Sequence, residues 1–490
     1  MSELESTPRR VVEVSQDTSQ TIPQFHPLNP DSRDIIQKES AIESDIRIYH
    51  KIGEEVNVQP HEKEEITKST ILGATFMLTN ICLGTTIFTF AVRAKSFGLT
   101  WLIIACILVG VINYWTIMRG AIASSKCKEN DYSEITEKIL GKKARFILNI
   151  FIILYSYACM MCFLALIFPL FGRFIQSAAY NNKYDNYFDF EKEKWGKAYI
   201  KLPFFVVVTF CIAIMCLIRD INKLNFSAYI GVIAVFYTLF VVMVQCRDYY
   251  KYYKQTKYIE EDKSTHPNWS NLASAFTTEL DFFKGMANLF CAYACHPGIF
   301  PVFAGFKNQK NGLKKMRIGV FFATCLTTAL HIISIVCSFL TDPYTPEDLV
   351  IYRKNKGNGK DIAMTISKLF VTLSLVFTLP GYYFGLRLSV ANSFTGGKIT
   401  DKFNYIFTFL SCFGCAIVAA IYDKILNYLS YIGGFISVFI CYLNPVLIYV
   451  YSSGKPVKYW RNILEIILAI ILCIIGVIAG IVTIIDDVKN

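Results

Sequence analysis

No aspartate or glutamate lies in the interior of any long apolar run of this 490-residue chain; Asp220, Asp423, Glu465 and Asp486 stand only at the ends of such runs. Membrane proton relays are often built from buried carboxylates, so their absence argues against a carboxylate proton wire. Charged residues make up only 18% of the chain, which excludes an ordinary soluble domain. No set of nucleophile, acid–base and metal-ligating residues converges, so an enzyme is not expected. Residues 1–65 lack the apolar core of a signal peptide. They are polar, proline-dotted and rich in Ser, Glu, Gln and Asp, and read as a disordered cytoplasmic tail. The sixteen cysteines avoid the long loops: fifteen lie in or beside apolar runs and Cys127 lies in a loop. That excludes a disulfide framework. The C-x-x-C pairs Cys159/Cys162 and Cys412/Cys415 lack a second ligand pair and read as small packing residues.

What the chain has is apolar length: 53% apolar residues and a mean hydropathy of +0.39. The runs cover about 70–92, 99–122, 146–171, 201–218, 224–246, 285–305, 318–340, 363–387, 403–422, 425–452 and 463–485. Each approaches or exceeds the ~20 residues that a helix needs to cross ~30 Å of hydrocarbon. The expected fold is therefore an all-α integral membrane protein with eleven transmembrane helices. The net charge of +11 sits in loops, where topology explains it without a nucleic-acid partner. Lys126, Lys142, Lys143, Arg145, Lys307, Lys310, Lys314, Lys315 and Arg317 fall on one side, and only Arg93, Lys95 and Lys424 in the short loops opposite. The amino terminus is then cytoplasmic and the carboxyl terminus lies outside. Residues 247–284 form an extracytoplasmic loop between helices 1–5 (66–246) and helices 6–10 (285–452), and 453–490 carry an eleventh helix and a short tail. Asn268-Trp269-Ser270 in that loop matches an N-glycosylation acceptor.

Two runs are interrupted at corresponding positions. The first contains Asn80, Gly84, Thr85 and Thr86; the sixth contains Cys295-His296-Pro297-Gly298, with Pro301 close behind. Proline removes a backbone donor and glycine loosens the chain, so such breaks are tolerated at membrane depth only where protein packs them or a cavity needs them. Paired breaks in two halves point to an inverted-repeat transporter with its substrate at the midplane. Asn80, Gly84, Thr85, Thr86, Cys295, His296 and Gly298 are the candidate substrate residues. Asn80 and Gly84 could equally be interhelical packing points, and His296 could be a pore-lining group, a proton carrier or a satisfied interior histidine. His331 reads as structural, with a proton role as the alternative. In run eight, Ser374 and Thr378 share a helix face before Pro380 and, with Asn80, could hold a cation; bonds back to their own helix are the other reading. Without interior carboxylates, sodium is favoured slightly over a proton as the coupling ion. No other cofactor or structural metal is expected.

At these residues the chain resembles the amino acid/auxin permease family, and within it the sodium-coupled neutral amino acid (system A/N-type) branch. The resemblance rests on Cys295-His296-Pro297-Gly298-Ile299-Phe300-Pro301, followed by Lys307-Asn308 and Met316-Arg317. Asn80 with Gly84 and Thr378-x-Pro380 with Arg387 support it, as do Gly433-Gly434 and Leu443-Asn444-Pro445. It covers about residues 66–485. It implies a LeuT-type five-plus-five inverted repeat with an eleventh helix and secondary transport of small or neutral amino acids. It also implies sodium-linked roles for Asn80 and Thr378. Thr86 stands where the family has a second glycine, Gly305 where it often has an acid, and the loop after run five lacks the cysteines of that branch. The other reading is an amino acid sensor signalling through the tail. The expected partners are an amino acid and the lipid of a plasma, endolysosomal or vacuolar membrane, with the protein working as a monomer.

Overall fold

Lipid offers no partner to backbone N–H and C=O groups, so a spanning chain must satisfy them within helices or a closed barrel. A computed structural model describes residues 70–127, 129–180, 187–218, 225–256, 281–307, 309–342, 348–353, 361–397, 399–422 and 424–489. Among these residues there is no strand, and ten helices are long and apolar enough to cross a membrane. The expected tail, the Asn268 acceptor and most of the loop around it lie outside the described residues.

In chain order the helices are α1 (Ile71–Cys82), α2 (Phe90–Phe97), α3 (Leu99–Lys126), α4 (Tyr132–Leu140), α5 (Lys142–Ala179), α6 (Ala198–Cys216) and α7 (Asn225–Thr256). There follow α8 (Asp281–Ala292), α9 (His296–Lys307), α10 (Gly312–Thr341), α11 (Ile362–Phe394), α12 (Asp401–Ile421), α13 (Ile425–Tyr431), α14 (Asn444–Ser452) and α15 (Trp460–Lys489). A π-helical stretch, Ile432–Leu443, joins α13 to α14 in one continuous span. The first apolar run is not one helix. It divides into α1, a 3-10 turn at Thr85–Phe88, and α2, so it provides only a twelve-residue apolar helix beside the ten long ones.

Burial follows lipid rather than water. On α15, Ile463, Leu464, Ile467, Ile470, Ile471, Ile474, Ile478 and Ile481 are exposed, whereas Ala469, Gly476, Ala479, Gly480 and Thr483 are buried. A soluble amphipathic helix buries its large apolar side chains; here they face outward and small residues meet the protein, as helix packing in membranes favours. The interior is assembled by α10 against α1, α3 and α7, by α11 against α5 and α7, and by α8 against α15 and the π stretch.

Two glycines explain that last contact. A Cβ on Gly433 would fall on the Ala287 carbonyl of α8, and one on Gly434 would sit 2.7 Å from the Gly476 oxygen and 2.9 Å from the Gly480 nitrogen of α15. The wide turns of the π stretch thus let two neighbouring helices touch its backbone directly. Gly433→Ala and Gly434→Ala should each lower the thermal midpoint of the detergent-purified protein, at a cost of about 1–3 kcal/mol. Gly414→Ala, whose Cβ would meet nothing within 4 Å, should leave the midpoint unchanged in the same melt.

Candidate functional site

Each break has a local cause. Pro297 has no N–H to offer the Tyr293 carbonyl. The chain therefore leaves α8 at Ala292, turns through Tyr293, Ala294 and Cys295, and restarts as α9 with Pro297 in its first turn, where proline is tolerated. At the first break Gly84 is extended (φ −77°, ψ −170°) between the end of α1 and the 3-10 turn. The freed groups are covered by neighbours. The Tyr155 hydroxyl of α5 donates to the Ala294 carbonyl (3.3 Å), and the Ser334 hydroxyl of α10 donates to the Ile87 carbonyl. The Asn288 amide of α8 donates to the Thr89 hydroxyl (3.1 Å), which donates to the Thr86 carbonyl (2.7 Å). A short hydrogen-bonded chain thus ties one broken segment to the other.

Between them lies a cavity lined by Ile81, Cys82, Gly84 and Thr86 from the first break, and by Cys291 and Ala294 from the second. Tyr155, Cys159, Cys162 and Phe163 of α5, Tyr382 of α11, and Leu429 with Ile432 complete the wall. It offers about 380 Å³ of atom-free space, the open solvent at its mouth included. None of these lining residues carries a charge. The polar groups are the tyrosine hydroxyls, four thiols, backbone at the breaks and the Thr86 hydroxyl, which is buried without a hydrogen-bond partner.

Of the candidate substrate residues, Gly84 and Thr86 face this cavity. Thr85 belongs to the same 3-10 turn, but its side chain lies outside the described residues. Cys295, His296 and Gly298 are not among the lining groups. Cys295 packs in the apolar cluster with Cys82 and Ile299, and a Cβ on Gly298 would strike Ile81. The His296 Nε2 lies 2.9 Å from the Thr116 hydroxyl of α3, and the ring is buried behind the break. Tyr155, Cys159, Cys162 and Phe163 went unnoticed as a site, although their spacing puts them on one helix face; Tyr382, one turn beyond Thr378, carried a similar signal.

Asn80, Ser374 and Thr378 come together around Gly231 of α7. A Cβ built there would sit 3.3 Å from Ser374 Oγ, 3.8 Å from Asn80 Oδ1 and 3.9 Å from Thr378 Oγ1. Thr378 donates its proton to the Ser374 carbonyl (2.7 Å), leaving its oxygen lone pairs to accept. Three neutral oxygens around a missing side chain suit a hard cation, although the helix back-bond alone also accounts for Thr378. No cluster of three or more His, Cys, Asp or Glu able to hold a metal occurs among the described residues.

Comparison with known proteins adds an independent line. The family model described as "Transmembrane amino acid transporter protein" matches residues 67–486. Sodium-coupled neutral amino acid transporter 7 of Homo sapiens is 24% identical over 328 residues, covering 65% of this chain and 63% of the relative's length. The Rattus norvegicus protein of the same name is 23% identical over 432 residues, covering 83% and 85%. Vacuolar amino acid transporter 2 of Saccharomyces cerevisiae is 22% identical over 336 residues, covering 67% and 63%. The chain thus spans just under two thirds of the human relative it matches.

The burial of His296 makes a testable distinction. His296→Ala should empty the space of a buried ring, while the Thr116 hydroxyl keeps the Ile112 and Asn113 carbonyls (3.1 Å each), and lower the thermal midpoint by the equivalent of about 2–5 kcal/mol. Thr86→Val, which keeps the shape and removes only a partnerless hydroxyl, should leave the midpoint intact in the same differential scan.

Proposed function

This chain belongs to the transmembrane amino acid transporter family, and from that premise we propose that it is a secondary transporter of small neutral amino acids, coupled to a sodium ion rather than a proton. The observation that carries the reading is the cavity between the two broken helices, uncharged and small. An amino acid entering it brings its own two charges. Its carboxylate has the partnerless Thr86 hydroxyl and the freed backbone of the break to bind, and its side chain meets Cys159, Cys162, Phe163 and Tyr382. A charged side chain would find no counter-ion there, and burying it unpaired is costly.

The Asn80, Ser374 and Thr378 oxygens are the proposed sodium ligands. Asn80 lies one turn from Gly84 along the same broken run, so an ordered cation and an ordered cargo segment support one another. The names of the human and yeast relatives are in keeping with this cargo and, for the first, with this ion. One coupled charge moved across 100 mV supplies ~2.3 kcal/mol, enough for roughly fortyfold accumulation. The reading includes a LeuT-type five-plus-five repeat, with the broken first run as an eleventh crossing. One bundle rocks against another around the site, and the amino terminus is cytoplasmic.

Uptake of labelled neutral amino acids into proteoliposomes carrying the full chain should rise with an inward sodium gradient. A proton gradient alone should give little. Asn80→Ala and Gly231→Ala should each raise the sodium concentration for half-maximal uptake by about tenfold, the second by placing a methyl among the three oxygens. Uptake indifferent to sodium would remove the coupling part of the reading; no uptake of any of the twenty amino acids under either gradient would remove the whole.

A further inference from the structure

The two broken segments meet through sulfur as well as through the cavity. Cys82 is the last residue of α1, and Cys295 stands immediately before α9. Both thiols are free, and they lie side by side in one buried cluster. The cluster forms a seam along both helices. Ala74, Leu78 and Cys82 recur at every fourth residue of α1, and Cys295, Ile299, Val302 and Phe306 follow at threes and fours into α9. The two segments are already close at this point, since a Cβ on Gly298 would lie 2.5 Å from Ile81 Cδ1. The Asn113 amide of α3 donates to Cys295 Sγ (4.0 Å) and holds that thiol in place.

The two thiols differ in access. Cys82 lines the cavity, whereas Cys295 does not and is 1% exposed. A small uncharged oxidant that enters with water therefore meets Cys82 first. Cys159, Cys162 and Cys291 share the cavity wall, but they stand on α5 and α8. A bond among those three would leave α1 and α9 unlinked. On the orientation proposed above, α1 and α9 are the cytoplasmic halves of the two broken runs, and cargo reaches the cytoplasm where they part.

We propose that Cys82 and Cys295 form a redox lock on that path. Hydrogen peroxide gives one oxygen to the Cys82 thiol, which becomes a sulfenic acid, and the other oxygen departs as water. The Cys295 thiol then attacks the oxidised sulfur, so that a sulfur–sulfur bond forms and a second water leaves. Two thiols have given up two hydrogens and two electrons, and the peroxide oxygen–oxygen bond has taken them up. A disulfide keeps its two Cα atoms within about 4.4–6.8 Å, so α1 and the start of α9 no longer separate. An apolar seam opens and closes; a covalent one stays shut until a thiol reductant exchanges with it.

The inference rests on the transport reading above, but the bond is measured without it. The full chain in proteoliposomes is treated with hydrogen peroxide, its remaining thiols are alkylated, and it is digested without reductant. Mass spectrometry should find the Cys82 and Cys295 peptides joined, and separated after dithiothreitol. Amino acid uptake should fall at least about fivefold with the oxidant and return with dithiothreitol. Cys82→Ser should keep its own untreated rate to within about twofold under the same treatment, because the first thiol to react is missing. Cys295→Ser should stop at the sulfenic acid, so that dimedone labels Cys82. Wild-type peptides that stay unlinked, a linked peptide with uptake unchanged, or a Cys82→Ser variant as sensitive as wild type would each overturn the proposal. Absence of uptake before any oxidant would remove the transport reading instead, and the linked peptide, read by mass on unmutated protein, would still decide whether the bond forms.

Discussion

The constraint on which the structure depends is the cost of leaving a peptide group unpaired in hydrocarbon, several kcal/mol for each group. Two breaks in membrane helices would be untenable if lipid reached them. Every other feature of the interior can be read as their cover. The Tyr155 hydroxyl caps the Ala294 carbonyl, Ser334 caps Ile87, and the Asn288–Thr89–Thr86 chain joins the two breaks. The long helices α3, α5, α10 and α11 then exclude lipid, while the isoleucine face of α15 meets it. The cavity is what remains where that cover is incomplete.

The same constraint links the two candidate sites. Asn80 belongs to the last turn of α1, and Gly84 and Thr86 follow immediately in the break. A ligand that orders the end of α1 through Asn80 also fixes the starting point of the extended residues lining the cavity. Mutual ordering of this kind is reciprocal by thermodynamic necessity: whatever one ligand contributes to binding the other is returned in equal measure. Coupling under the transport reading needs no distant relay, only one turn of backbone shared by two binding events.

Much of this was legible in the residues. Apolar length alone announced a helical membrane protein, and proline and glycine marked both breaks. The helix-face argument for Ser374 and Thr378 anticipated that these hydroxyls lie together, and the structure adds Gly231, whose part is to contribute no side chain. What could not be read was orientation. His296 is the most conspicuous polar group of the sixth run, yet a helix restarting at Pro297 directs it to Thr116, behind the break. Cys159 and Cys162 looked like packing because a thiol in an apolar helix usually is; only the placement of α5 beside both breaks turns that face toward a cavity. The π stretch had no signal beyond two adjacent glycines, because its wide turns follow from contacts with α8 and α15 that lie far away in sequence.

An interior without carboxylates has a further consequence. A carboxylate in a cavity binds any cation that fits and titrates over its own pH range, so it competes with cargo for protons. A site made of amide, hydroxyl and backbone oxygens has no such titration and responds to pH only through whatever imidazole can be hydrated nearby. The described interior has two buried imidazoles: His296 has Thr116 as a partner at Nε2 and none at Nδ1, whereas His331 has none at either nitrogen. A partnered ring contributes to the packing of one arrangement. A stranded ring costs free energy in the arrangement seen, because neither nitrogen recovers the hydrogen bond that water would give it.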